Sequence, residues 1–329
     1  MVIVTAADDR FALPLGVMVH SLLANARPEA EMTLYVLSDG ISPRHRQRIE
    51  SVVARAKKDR IVDFRWMDVQ PDRPPSTRDE SPSLRTTDFI SDAAYLRLLI
   101  PNLLPEAQER AIYLDADLLV ERDLTPLWTE PFDEAPVLAV RDYKIQTVSH
   151  QKGLAHYHDF GLSPDTPYFN SGVLVLNLNA WRTEHVRADA MRYVARYRKV
   201  MNTCDQEALN AVLAGRWKEL DPRWNRQSAI SDLDRWPESS FKRDIESQRD
   251  ALLHAPYIDH FTGNDKPWNI LTDHPSKDRF LEYLASSGWF SPLEFRAWRG
   301  FRTARIPEQY LRNLTRPLRH RAGALFKSS

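Results

Sequence analysis

The sequence has one cysteine, Cys204. A lone thiol closes no intrachain disulfide, which excludes the small disulfide-knit scaffolds and fits a reducing compartment. No uninterrupted apolar run approaches the roughly 20 residues that a membrane-spanning helix needs. The N-terminus, Met-Val-Ile-Val-Thr-Ala-Ala-Asp-Asp, lacks a basic start and has few apolar residues before two acids, so it is not read as a secretory signal. A glycine- and basic-rich phosphate loop early in the chain, expected of a nucleotidyltransferase, is also missing. There is no internal repeat. The formal net charge is zero.

What is present is the composition of an ordinary soluble protein, 43% apolar and 27% charged over 329 residues, enough for one large or two modest domains. The charge is unevenly spread. Residues 295–329 carry nine Lys or Arg against one acid, Glu308, a formal +8 set against −8 for the rest. Phe295-Arg296, Trp298-Arg299 and Phe301-Arg302 recur every three residues in a roughly helical stripe. Aromatics beside arginines suit an anionic membrane surface; packing against the acidic body is the plainer alternative and nucleic acid a third, with membrane favoured. The expectation is a cytoplasmic protein, peripheral on the inner face of the membrane through this tail, with no nucleic-acid partner.

The patterning predicts strands at 2–4, 32–37 and 61–66, separated by helices at 11–23 and from Ser42, a natural cap, to about 58. Such alternation implies a mostly parallel sheet flanked by helices. Residues 70–92 form a polar, Pro-rich loop, followed by a helix over 92–99. Further strands are expected at 111–120, 137–140, within 168–177 after a turn, and at 217–220 and 257–261. Ligands of such sheets sit at the carboxyl ends of strands near a switch point, so the loops after Val4, Leu114 and Val140 are candidate walls of one site.

The stretch 111–120 is apolar except for Asp115 and Asp117. Buried carboxylates need a partner or a metal, and residues i and i+2 of an extended chain face the same side. Two hard oxygen donors suit manganese or magnesium. The plain alternative is a strand end whose aspartates cap a turn. Asp232-Leu233-Asp234 repeats the pattern in a polar stretch that no strand precedes. His150, His156 and His158 are joined by no cysteine or second cluster that would make a zinc site; they are read as surface or acceptor-facing.

Five motifs occur in order: Thr-Ala-Ala-Asp-Asp at 5–9, Tyr-Leu-Arg at 95–97, Tyr-Leu-Asp-Ala-Asp at 113–117, Phe-Asn-Ser-Gly-Val at 169–173 with Asp205-Gln206, and His-Phe-Thr-Gly-Asn-Asp-Lys-Pro-Trp at 260–268. Over roughly residues 1–270 the chain resembles glycosyltransferase family 8, retaining sugar-nucleotide transferases of GT-A fold, and within it the bacterial lipopolysaccharide α-galactosyltransferase and glucosyltransferase branch. The resemblance implies an N-terminal transferase domain, 1–274, and a basic helical segment, 275–329. It implies a UDP-hexose donor, a glycolipid or polysaccharide acceptor, and Mn2+ (or Mg2+) held by Asp115, Asp117 and His260. A lipid-linked acceptor must be reached at the membrane, which favours the membrane reading of the tail.

In that resemblance Asp8 accepts the uracil N–H, Ala6 and Ala7 offer backbone contacts, and Phe11 stacks on the base. The family usually has Asn then Tyr where this chain has Arg10-Phe11. Ala116 belongs with the donor, and Gly263 and Lys266 with its diphosphate. Arg97, Asp142, Asn170, Asp205 and Gln206 surround the donor sugar, with Asp205 and Gln206 nearest the chemistry. Each also has a structural reading: Asp8 at a helix start, Arg97 on an exposed helix face, Asn170 in a turn, and Gln206 in a capping box with Thr203. Double displacement needs a nucleophile at the anomeric carbon. An amide is a poor one, so same-face substitution is expected, the departing phosphate helping to deprotonate the acceptor. The loop 70–92 and the segment 143–168 are the expected acceptor contacts.

Overall fold

The structure, a computed structural model, describes residues 1–57, 60–69, 92–197, 199–269 and 272–304. The expected Pro-rich loop therefore lies outside the described residues except for Asp92, as does the chain beyond 304. The strands are β1 (Val2–Asp8), β2 (Met32–Asp39), β3 (Val62–Asp68), β4 (Arg110–Asp115), β5 (Leu118–Val120), β6 (Val137–Arg141), β7 (Phe169–Asn177), β8 (Lys218–Glu219), β9 (Arg226–Gln227) and β10 (Ile258–His260). Seven form one sheet in the order β3-β2-β1-β4-β7-β6-β8. It is mostly parallel, with β7 antiparallel to both β4 and β6.

The local causes are those the pattern implies. Helix α1 (Ala12–Asn25) is apolar along most of its length and buries Leu15, Met18, Leu22 and Leu23. Helix α2 (Pro43–Ala56) starts where the Ser42 hydroxyl accepts the His45 N–H and Pro43 presets the first turn. It buries Ile49, Val52, Val53 and Ala56, one face at helical spacing. Both helices pack on one side of the sheet, while Trp181 and the helices Val186–Tyr197 and Cys204–Leu213 cover the other. The strand order reverses at β1, between β2 and β4, and Ala6 of β1 lies level with Asp115 of β4. That switch point locates a ligand crevice.

The run 111–120 is not one strand. β4 ends at Asp115, Ala116-Asp117 step off the sheet, and β5 resumes in a separate three-stranded sheet, β5-β10-β9. The apolar pattern hides this break because the apolar residues on both sides of it, 111–114 and 118–120, are buried. The last strand joins the small sheet too: β10 runs antiparallel to β5 with His260 opposite Leu118, and Phe261 N–H donates to the Asp117 carbonyl. The break thus delivers His260 beside the two aspartates. The expected helix over 92–99 is a 3-10 stretch, Asp92–Leu99.

The C-terminal helices Lys277–Ser286 and Pro292–Ala304 lie on the body. Phe280, Tyr283, Leu284 and Trp289 share the core of α1, and Phe295 and Trp298 of the aromatic stripe pack partly buried against it. Arg48 pairs with Glu294. No described helix is long and apolar enough to cross a membrane. The Trp289 ring lies so close to α1 that a Cβ at Gly16 would sit 2.6 Å from Trp289 Cε3. Gly16→Ala should therefore cost about 1–3 kcal/mol in urea unfolding, and much less in a Trp289→Ala background where the obstructing ring is gone. Equal costs in the two backgrounds would contradict this contact.

Candidate active site

The carboxyl ends of β1, β4 and β6, the start of β7, the loop after β10 and the first turn of the helix Cys204–Leu213 enclose a cleft of about 500 Å³. Ala6, Ala7, Asp8, Phe11, Arg97, Asp115, Ala116, Asp117, Asp142, Asn170, Asp205, Gln206, His260, Gly263 and Lys266 all line it. The five motifs converge on one place. Asp232 and Asp234 gain no such company; they face Arg235 and Arg249 at the surface.

On the cleft floor, one ligand atom each from Asp115, Asp117 and His260 lies within 4.8 Å of the others, the one such cluster among the described residues. His260 Nε2 is 3.7 Å from Asp115 Oδ2 and 3.5 Å from Asp117 Oδ1. These separations are long for hydrogen bonds and suit donor atoms arranged around a shared cation. Behind them, a Cβ at Gly172 would lie 2.2 Å from His260 Cε1 and 2.8 Å from Asp115 Oδ2. Only glycine leaves room for this trio. Two carboxylates and one imidazole are a donor set that fits Mn2+.

Arg97 is no surface arginine. It is 5% exposed, and its guanidinium donates to Asp115 Oδ1 at 2.8 Å and to the Ser171 carbonyl at 2.6 Å, lies 2.9 Å from Asp205 Oδ2, and sits over the Tyr113 ring. Burial opposes its charge, but Asp115 and Asp205 outweigh that and hold it protonated. Asp205 is pushed up to about 6 because burial disfavours its charge, Arg97 offsets only part, and Asp115 adds repulsion. One guanidinium cannot fully satisfy two buried carboxylates. Asp117 goes the other way: burial would raise it, but the Lys266 ammonium against it holds it well below the ordinary range. Lys266 donates to Asp117 Oδ2 and to the Phe261 carbonyl.

Beside this lies an amide network. Asp142 Oδ1 takes the N–H groups of Lys144 and Ile145, and its Oδ2 takes Asn170 Nδ2 at 3.0 Å and Gln206 Nε2 at 3.1 Å. Gln206 Oε1 accepts from Ser171 N at 3.0 Å and Asn170 Nδ2 at 3.2 Å. The capping box does not form: Thr203 makes no side-chain cap and shares a hydrogen bond with Tyr168, while Gln206 reaches across to β7. Asn170 is a strand residue, not a turn. Asp8 does cap its turn, accepting from Arg10 N and Phe11 N, and Arg10 is spent on Asp8. Phe11 stands edge-on to Trp268 at 6.2 Å.

Sequence reasoning missed Tyr113, whose hydroxyl donates to Asp115 Oδ1 at 2.8 Å, although the same i, i+2 alternation implied it. It also missed Ser171, and Asn225, which no motif marks. His156 stacks on Tyr197 and His158 lies against Tyr157, away from any metal cluster.

A switch-point sheet carrying two aspartates and a histidine at its mouth is the GT-A glycosyltransferase architecture. The solved galactosyltransferase LgtC, in complex with donor and acceptor sugar analogs, superposes with a TM-score of 0.71 at 28% identity, over 91% of this chain and 100% of that one. The model of glycosyl transferase family 8 matches residues 2–272, and the chain belongs to that family. Among its relatives, General stress protein A of Bacillus subtilis is 32% identical over 88% of this chain and 94% of its own length. The lipopolysaccharide 1,2-glucosyltransferase of Escherichia coli is 25% identical over 86% of this chain and 77% of its own.

Gly172→Ala should push His260 and Asp115 apart and lower Mn2+ affinity about 10- to 100-fold, with the circular dichroism unchanged. Calorimetric titration checks this; unchanged affinity in a folded variant would sink the cradle argument.

Proposed function

We propose that the protein moves a hexose, galactose or glucose, from a UDP-sugar to a saccharide acceptor on a cell-surface glycolipid or polysaccharide, with retention of configuration. The observation that carries the reading is the convergence of Asp115, Asp117 and His260 on the floor of a switch-point cleft. Those three would hold Mn2+, whose Lewis-acid charge would stabilise the departing diphosphate. The buried charge supports a dication: on the cleft floor Asp115, Asp117, Asp142 and Asp205 meet the bridged cations Arg97 and Lys266, while Lys144 and Lys152 stand at the exposed rim. Relatives named for lipopolysaccharide glycosyl transfer support the acceptor class.

The residues take these roles. Ala6, Ala7, Asp8 and Phe11 bind the uridine; capping leaves Asp8 lone pairs, since each carboxylate oxygen accepts more than one bond. Ala116, Gly263 and Lys266 meet the diphosphate. Asp142, Asn170 and Asp205 position the sugar, with Arg97 acting through Asp115 and Asp205. Gln206 stabilises positive charge at the anomeric carbon. Its amide oxygen already accepts two N–H groups, which lowers its nucleophilicity further, and Asp205 is bound to Arg97. Neither is a free nucleophile, which favours same-face substitution. The basic chain beyond 304, with segment 275–304 as its base on the body, carries the enzyme to an anionic membrane surface on the cytoplasmic side.

With Mn2+, UDP should be released from UDP-galactose or UDP-glucose, and Asp117→Asn should lower that release by about 100-fold or more, a loss of roughly 2.7 kcal/mol of barrier lowering. No release from these or from UDP-N-acetylglucosamine would argue against the donor class. Intact-mass spectrometry during turnover should show no sugar on Gln206 or Asp205; a covalent adduct would overturn same-face substitution. Removing 305–329 should abolish binding to vesicles containing anionic lipid and leave turnover of the soluble donor unchanged; undiminished vesicle binding would contradict the tail's role.

A further inference from the structure

His260 is 4% exposed, and its two ring nitrogens face opposite demands. Nε2 points at the aspartates, 3.5 and 3.7 Å away, and Nδ1 lies 2.9 Å from Asn225 Oδ1. Two carboxylates by themselves would draw the ring proton to Nε2. A protonated Nε2 has no lone pair for a cation.

We propose that Asn225 is a positioning residue that keeps the proton on Nδ1, as the last link of an amide relay that starts at the backbone of Gly172. The Gly172 N–H, whose polarity is invariant, donates to Asn170 Oδ1 at 3.1 Å. The Asn170 amide is thereby oriented with Nδ2 toward Asp142 Oδ2, an acceptor that reinforces the same orientation. Asn170 Oδ1 also accepts Asn225 Nδ2 at 2.9 Å, which leaves Asn225 Oδ1 facing the histidine. Nδ1 must then be the donor. Turning either amide over would set oxygen against oxygen or N–H against N–H, and Asn225 is fully buried, with no water to relieve the clash. At 2.9 Å the relay's bond is well formed, whereas 3.5 Å to Asp117 is marginal, so the relay outweighs the pull of the carboxylates. Nε2 keeps its lone pair directed between Asp115 and Asp117. The second ring nitrogen of a metal-binding histidine is commonly fixed by such a partner; here the fixing signal originates in a backbone amide of the neighbouring sheet.

The assignment rests on reading the cleft as a cation site, and its test separates the two. Long-range proton–nitrogen correlation spectra of the 15N-labelled full chain without metal, with His260 assigned by its loss in His260→Gln, report which nitrogen is protonated. The relay predicts a protonated Nδ1 and a bare Nε2. In Asn225→Leu the proton should shift to Nε2 and Mn2+ affinity, read by titration, should fall about 10- to 100-fold. Asn225→Asp retains an acceptor for Nδ1–H and should keep the proton on Nδ1, while its second oxygen against Asn170 Oδ1 lowers the urea unfolding midpoint. A protonated Nε2 in the unaltered protein overturns the relay even if Asn225→Leu does not fold; so does a folded Asn225→Leu that keeps Nδ1–H and its Mn2+ affinity. Protonated Nδ1 in a protein that binds no Mn2+ supports the relay and overturns the cation reading instead.

Discussion

Several carboxylates share the floor of a mostly buried cleft, and the guanidinium of Arg97 makes that arrangement tolerable. It joins Asp115 at the end of β4 to Asp205 at the start of a helix on the opposite wall, and grips the Ser171 carbonyl on β7 between them. Isolated buried carboxylates are costly. Arg97 offsets enough of that cost to hold two walls together, but not all of it, and the raised pKa of Asp205 records the remainder. On the far side Lys266 does the same for Asp117. The site is thus an acidic cluster whose charge two bridged cations only partly offset.

The backbone makes its own contribution at Asp115. By ending β4 there and restarting the chain as β5 in a second sheet, the fold turns Ala116-Asp117 into a corner that β10 can approach. A continuous strand would have left His260 with no route to the aspartates. Gly172 completes the corner, because any side chain on β7 at that position would fill the space between them. The same residue supplies the N–H that orients Asn170. Steric room and hydrogen-bond polarity at the site thus come from one backbone position.

Much of this was legible in the sequence, for reasons that differ from residue to residue. The β1–α1–β2–α2–β3 alternation was visible because each element carries its own periodicity and punctuation, Ser42-Pro43 above all. The cleft residues were visible because they sit in short motifs at strand ends. The break at Asp115 was not, since an apolar run reads alike whether it lies in one sheet or two. Arg97 was read as a donor-site residue from its motif, but its bridge between Asp115 and Asp205 was not legible, because nothing local shows that its helical turn packs against β1, β2 and the helix Cys204–Leu213. Gln206 satisfied a capping pattern that tertiary partners overrode. Asn225 left no trace, because its role depends on two residues more than 30 positions away. Phe295 and Trp298 of the C-terminal stripe pack partly buried against the core, a placement that spacing alone does not show.

The central claim is that Asp115, Asp117 and His260 together hold the cation that receives the diphosphate. Anomalous diffraction at the manganese edge, from crystals grown with Mn2+ and UDP, tests it most directly. The account predicts one strong peak bonded to both carboxylates, to His260 Nε2 and to the UDP phosphates. UDP seated in the cleft with no anomalous peak among those three side chains, or with the peak bound elsewhere, would contradict it.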